Sequence, residues 1–406
     1  MKTDTSAKHI AIIGAGPAGL RAAEVAVTSG AKVTVYDAMR SVGRKFLVAG
    51  KSGLNLTNGA PIEDFFLKYQ SPELPTKLWQ NILSQFDNND LRKWAHGLGI
   101  ETFVASSGKV FPSPHQGSIK AAPLLRRWVE RLRNLGVEFK TQHKWIGFDT
   151  LSNPIFQHLD TELSPQHDAT ILALGGGSWP QTGTNGHWVK ILDQAGIKTT
   201  PLTAANCGWE VAWPEEVITE AEGLPIKNAV VKAGDSESMG ELIITRYGIE
   251  GAPIYRLGHI LRHMTHPEIS IDFKSSLNLP ELTSRLGRVK KNYIREAKRR
   301  WKLDSATCSL LKHLPDRGPW TSAAQLASEV KSCRIPLTKP RPIAEAISSA
   351  GGVCWSEIDH NLMLKKIPAV FLAGEMINWE APTGGYLLQA CFATGTYAGK
   401  MAAKQN

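Results

Sequence analysis

The chain has 406 residues, 42% apolar and 21% charged, which suits about two or three globular domains and excludes a disordered chain. No run reaches the ~18–20 apolar residues of a membrane helix. The apolar start is broken by glycine and proline with no small-residue cleavage site, so a cytoplasmic protein is expected. Five cysteines, an odd number with no C-x-x-C pair, argue against a disulfide framework and a zinc site, while a formal charge of +10 raises the question of an acidic partner.

In chain order, "HIAIIGAG" predicts a buried strand ending in glycine, and "PAGLRAAEVAVTSG" a helix stopped by Gly30. "KVTVYDA" predicts a second strand, with Asp37 at its end. Together they make the opening β-α-β of a doubly wound fold. "IKAAPLLRRWVERLRNLG" is an amphipathic helix with Leu124, Leu125, Trp128, Leu132 and Leu135 on one face. "VEFK" and "WIGFDT" read as strands of a smaller crossover layer, and "DATILALGG" as a return to the central sheet. From about residue 190, short alternating runs such as "AVVKAG" and "GELIITR" predict a β-rich insertion, spanning 191–340, with a basic helical lobe over about 255–333. "IPAVFLAGE" is another buried strand, and a helix begins near Gly385. Residues 1–190 and 341–406 then form the two parts of one nucleotide-binding domain.

A lone G-x-G-x-x-G is a weak signal, but here a strand precedes it and a helix follows. An acid stands 18 residues after Gly19. Gly14 allows the tight turn, and Gly16 lets a pyrophosphate approach the backbone. The helix N-terminus presents free N–H groups. Asp37 can accept hydrogen bonds from ribose hydroxyls and would repel a 2′-phosphate. The fingerprint alone does not separate FAD from NAD. "FLAGEM" puts Gly374 and Glu375 at the end of another strand, and "PTGGYLLQACFATG" opens another helix. A second acid and a second helix N-terminus suit the longer ligand, FAD. No second complete G-x-G-x-x-G marks a nicotinamide site, which leaves NAD(P)H as a transient electron donor.

Five ordered motifs, "IIGAGPAGLRAA", "GRKFLVAGKSGLNLTN", "ILALGGGSWPQTGTNG", "GELIITRYGIEGAPI" and "VFLAGEMINWEAPTGGYLLQA", resemble the YhiN-like bacterial flavoproteins, a family that includes aminoacetone oxidase. The resemblance covers nearly the whole chain. It implies an α/β fold: a two-part Rossmann-type FAD domain of the glutathione-reductase class, with an inserted β-barrel-like domain and a helical lobe. It implies oxidoreductase chemistry without fixing a substrate. Gly14, Gly16 and Gly19 match the phosphate loop and Asp37 the ribose acid. Arg44 and Lys45 match a "GRK" that reaches the adenosine side or the pyrophosphate. Asn55, Thr57 and Asn58 match the end of a segment near the flavin. Gly374 and Glu375 match a Gly-Glu pair, and Gly384, Gly385 and Tyr386 a turn beside the pyrimidine edge of the ring. Pro17, Ala18, Ala38, Gly175 and Leu387 complete the expected cofactor contacts. Where the family has Arg-Cys, this chain has Gly53-Leu54, so a cysteine and its neighbouring cation are absent and Leu54 would make a drier wall.

Three features admit more than one reading. Trp179 either covers the flavin or plugs the core. Cys391 is either a buried apolar residue or a redox group. The segment "RLGRVKKNYIREAKRRWK" carries nine Lys or Arg and one Glu, and its spacing predicts an amphipathic helix with one very basic face. That face is solvated, or an RNA-binding surface in which Lys290, Lys291, Arg295, Lys298 and Arg299 meet phosphates, or a site for an anionic small substrate or a lipid surface. No catalytic residue and no oligomeric state is legible. Three functions follow: an FAD-dependent oxidoreductase acting on a small amine or enone, a flavin-dependent reductase of a pyrimidine base in RNA, or a non-catalytic flavin-binding sensor.

Overall fold

The computed structural model describes residues 7–49, 53–114, 119–314 and 318–405; residues 50–52 of the second family motif lie outside them. The chain forms two compact units, one from 1–203 with 349–406 and one from 204–348.

The first unit is built on a five-stranded parallel sheet. Its spatial order is Val370–Leu372, Ala169–Leu172, His9–Ile13, Lys32–Asp37, Glu138–Thr141. Every residue of Ala169–Leu172 and Val370–Leu372 is buried, as near-continuous apolar strands covered on both faces must be. "VEFK" therefore is not in a separate layer. It is the edge strand of the main sheet, parallel to Lys32–Asp37, and the helix Ala121–Asn134 that precedes it returns the chain to that edge. "WIGF" alone goes to an antiparallel sheet of three strands, Lys144–Phe148, Pro154–His158 and Thr161–Leu163.

The first helix, Pro17–Thr28, starts directly at the glycine loop and packs on the C-terminal helix, Tyr386–Lys404. The contact is close. A Cβ on Gly395 would run into the backbone of Ala18, and one on Gly399 would stand 2.7 Å from the Ala22 carbonyl oxygen.

The second unit holds a six-stranded antiparallel sheet in the order Trp209–Glu210, Gly248–Gly251, Ser236–Thr245, Pro225–Ala233, Glu268–Asp272, Cys333–Pro336. The chain just past its last strand turns back onto its first. Glu210 N–H donates to Lys339 O, and Thr338 N–H to Glu210 O, each at 2.9 Å. The sheet thus curls towards a barrel, and its edges are paired (compare the general liability of open edges). The helices Leu279–Leu286, Ser305–His313 and Ala323–Lys331 share one apolar core with it.

The basic segment is not one helix. Leu279–Leu286 ends at Gly287, whose φ is +62°. Asn292, also left-handed, starts the short helix Tyr293–Ala297, and a π turn, Lys298–Lys302, finishes it. Trp301 draws the turn inward, being 1% exposed with its indole N–H donating to Leu282 O at 3.0 Å.

Candidate functional site

The carboxyl ends of the parallel strands converge on the glycine loop, where doubly wound folds bind ligands. Gly14 has φ +103°, and its N–H donates to Tyr36 O at 2.8 Å; any side chain there would strike the Ala173 carbonyl. Gly19 presses as closely on the Gly14 carbonyl. Gly16 differs. It caps the helix Pro17–Thr28 in an extended conformation, with no side-chain cap and no acid in the first turn, and a Cβ there would meet no atom within 4 Å. The loop therefore presents unpaired N–H donors and positive helix potential on an open side, as an anion site requires.

Asp37 lies beside this loop. Its carboxylate accepts the N–H groups of Ala15 and Met39, both at 2.8 Å. Burial pushes its carboxyl up, opposed by those two backbone donors and by the Arg44 guanidinium. Asp37 thus braces the loop as well as offering lone pairs outward, and Ala38 next to it is exposed. Arg44 Nε is buried and makes no hydrogen bond among the described residues. A buried, unpaired guanidinium nitrogen near a helix N-terminus suits a phosphate or ribose oxygen. The donors, the open side at Gly16 and this unpartnered guanidinium nitrogen all fit a dinucleotide pyrophosphate.

Lys45 does something else. Its ammonium donates to Ser178 Oγ at 2.6 Å and to Glu375 Oε2 at 2.9 Å. Glu375 Oε1 accepts Ser349 N–H at 2.9 Å, and Ser349 Oγ accepts Gly177 N–H at 3.0 Å. This network ties together the glycine run Gly175–Gly177, the turn at Gly374 and the helix Arg44–Ala49. Gly374 N–H donates to Thr394 Oγ1 at 2.9 Å, fixing that turn to the C-terminal helix.

Asn55 donates to the carbonyls of Thr57 and Val110, at 2.7 and 3.1 Å, and Thr57 Oγ1 donates to Gln389 Oε1 at 2.8 Å. Asn58 Nδ2 reaches Gly384 O at 3.1 Å. Gly385 caps the C-terminal helix so close to Thr57 that a side chain would collide with its backbone. Tyr386 is buried and its carbonyl accepts Tyr69 OH at 2.8 Å, while Leu387 stays half-buried. The Asn55–Asn58 and Gly384–Leu387 segments, joined by a hydrogen bond between residues 326 apart in the chain, thus form one surface. Leu54 is fully buried in the core with its N–H donating to Ile119 O, so it is packing and not an open wall. Lost hydration and the Glu375 charge push the Cys391 thiol up to about 12, which favours the protonated thiol at neutral pH.

In the second unit, Lys290, Lys291 and Arg295 are exposed and make no ion pair among the described residues. Lys298 donates to Ser305 Oγ at 2.9 Å, and Arg299 pairs with Glu296 at 2.8 Å. The five cations lie on a turn, a short helix and a π turn, not on one helical face.

The family described as HI0933-like protein Rossmann domain matches residues 8–401. A 3-dehydro-bile acid delta(4,6)-reductase of Clostridium scindens is 26% identical over 430 aligned positions, covering 98% of this chain and 99% of that one. A ribosomal RNA dihydrouridine synthase of Escherichia coli is 21% identical over 398 positions, with 93% and 94% covered. The solved structure of a 3-ketosteroid-delta4-(5alpha)-dehydrogenase from Rhodococcus jostii RHA1 matches with a TM-score of 0.55 at 14% identity, over 99% of each chain; it shows the shared fold.

Proposed function

The chain belongs to the HI0933-like family, and from that premise we propose that it is an FAD-dependent oxidoreductase that reduces a carbon–carbon double bond conjugated to a carbonyl group. The observation that carries the substrate class is the match, end to end, with the clostridial reductase. Its name and that of the dihydrouridine synthase describe one kind of chemistry. In each, two hydrogens are added to a double bond that a neighbouring carbonyl polarises. The amine alternative draws no support from these relatives.

FAD, when bound, supplies hydride or electron-pair chemistry. The chain's residues hold it. The N–H groups of Gly16, Ala18 and Gly19 and Arg44 Nε would take the pyrophosphate end, and Asp37 would take a ribose hydroxyl. The Lys45–Glu375 pair keeps the glycine run, the Gly374 turn and the helix Arg44–Ala49 in one arrangement. The net reaction adds a hydride equivalent to the β carbon and a proton to the α carbon. It consumes one reduced nicotinamide, NADH or NADPH, for each bond saturated.

A second reading is a pyrimidine base in RNA, favoured by Lys290, Lys291 and Arg295, which are exposed and without an ion pair among the described residues. One experiment separates the readings. Purified holoprotein is reduced anaerobically with NADH or NADPH, then mixed with a 3-oxo-4,6-diene steroid, with unmodified RNA, or with neither. The expected result is FAD released on denaturation and rapid reoxidation by the dienone. Reoxidation by RNA alone supports the second reading. In that case, replacing Lys290, Lys291, Arg295, Lys298 and Arg299 by Gln should flatten the salt slope of log affinity by roughly 3–5 units. Reduction of the holoprotein by a small amine, with no response to the dienone or RNA, would sink both.

A further inference from the structure

The loop after the glycine run contains one residue that neither the core nor the backbone explains. Trp179 has φ 56° and ψ 58°, the left-handed region that a bulky side chain rarely enters. The conformation is held in place. Thr182 donates to the Trp179 carbonyl twice, through N–H at 2.9 Å and through Oγ1 at 2.7 Å. Glycine or asparagine would take this backbone at lower cost. A tryptophan here needs a use for its indole that outweighs the strain.

Packing is not that use. Trp179 belongs to none of the apolar clusters formed by the described residues, is half-buried, and stacks on no other ring among them. Its position narrows the alternatives. The preceding residue, Ser178, accepts the Lys45 ammonium that also grips Glu375. Four residues further on, Gly183 lies against Met39, the second residue after Asp37; a Cβ on it would stand 2.7 Å from Met39 Cγ. The loop Ser178–Gly183 therefore runs from the Glu375 end of the cradle to its Asp37 end, and it starts at the indole.

The geometry points to Trp179 as an aromatic wall of the cofactor site, contacting the flavin half of FAD at the Glu375 end. This rests on the FAD reading above. A flat ring system is what an otherwise unstacked indole would accept, and a left-handed backbone is the means of presenting it.

The test uses the full-length protein, with Trp179→Gly, Trp179→Ala and Trp179→Phe. FAD affinity is measured by titration of the apoprotein, flavin fluorescence and the visible absorption band are recorded on the holoprotein, and melting is followed on the apoprotein. Gly and Ala should both weaken FAD binding, by about tenfold, and both should brighten flavin fluorescence, because an adjacent indole quenches it. Phe should keep most of the affinity. The Gly apoprotein should melt above the Ala apoprotein, since only Ala retains the strained φ. Should Gly not fold, Phe and Ala still report affinity and band shape. Wild-type FAD affinity, fluorescence and spectrum in the Gly or Ala variant would overturn the assignment while leaving the FAD reading intact. Failure of the wild type itself to bind FAD would overturn both.

Discussion

Gly16 and Gly19 lie three residues apart in one motif, yet they answer to different constraints. A Cβ on Gly19 collides with the loop itself, whereas one on Gly16 meets no atom, and Gly16 has a backbone conformation open to any residue. Gly16→Val should therefore fold. Its cost to stability should stay within about 1 kcal/mol, the usual penalty of a poor N-cap. FAD affinity should fall by about a hundredfold or more, near 3 kcal/mol. Cofactor content and chemical denaturation of the same preparation check both halves; retained FAD in a folded variant would make the loop a plain turn. The glycine loop and the acid that ends the second strand were legible because their spacing is local. The partner of Lys45 was not. It pairs with an acid 330 residues away, and only closure of the sheet brings the two within 2.9 Å. Asp37 likewise could be placed at the end of the second strand from the sequence, but its bracing of Ala15 and Met39 could not.

Helices carry the second kind of information. Glu24 interrupts the apolar run of the first helix and is 3% exposed. It accepts the indole N–H of Trp94 at 2.8 Å and of Trp128 at 3.1 Å, and it pairs with Arg21 at 3.1 Å and Arg131 at 3.2 Å. Three helices, Pro17–Thr28, Asn88–Gly97 and Ala121–Asn134, are thereby pinned at one carboxylate. Glu24→Gln leaves two guanidinium groups short of their counter-charge and should destabilise the first unit by about 3 kcal/mol. Urea denaturation measures it, and an unchanged midpoint would show that the carboxylate does not hold the helices. A single acid inside "AAEVAV" was the available signal for this junction; its partners were not, since they belong to helices set by tertiary packing. The same limit applies to the edge strand Glu138–Thr141 and the basic segment. Strand character could be read from "VEFK", but not which sheet it joins. Near-helical spacing could be read from 285–302, but Gly287 and Asn292 break the backbone where periodicity suggested continuity.

At the scale of the molecule, stability should depend on pH through a cluster at the back of the parallel sheet. His167 faces His9, with ring centroids 4.4 Å apart, and its Nε2 lies 3.2 Å from Tyr36 OH. Burial, and then the neighbouring His9, lower its pKa from 6.5 to about 4. Between those values the unfolded chain binds the proton and the folded chain does not, so stability is full above about pH 6.5 and declines as pH falls towards 4. Melting curves from pH 8 to 4 should show this decline, and His167→Gln should flatten it; an equal decline in the variant would assign the loss to other groups. What was readable at this scale was the interrupted nucleotide domain, because both of its parts carry glycine-ended apolar strands. The strand Val370–Leu372 pairs with Ala169–Leu172 across an insertion that has its own core. That order of assembly has a consequence for synthesis. On the ribosome, the unit from 204 to 348 is contiguous and can fold as soon as it emerges, while the first 203 residues wait for their last strand and helix. At about 5–20 residues per second, the interval from residue 204 to 405 is roughly 10–40 s. Until Val370–Leu372 has been made, the edge of Ala169–Leu172 away from His9–Ile13 has no partner strand, so the nascent chain carries an open, apolar β-edge that a folded insertion cannot cover.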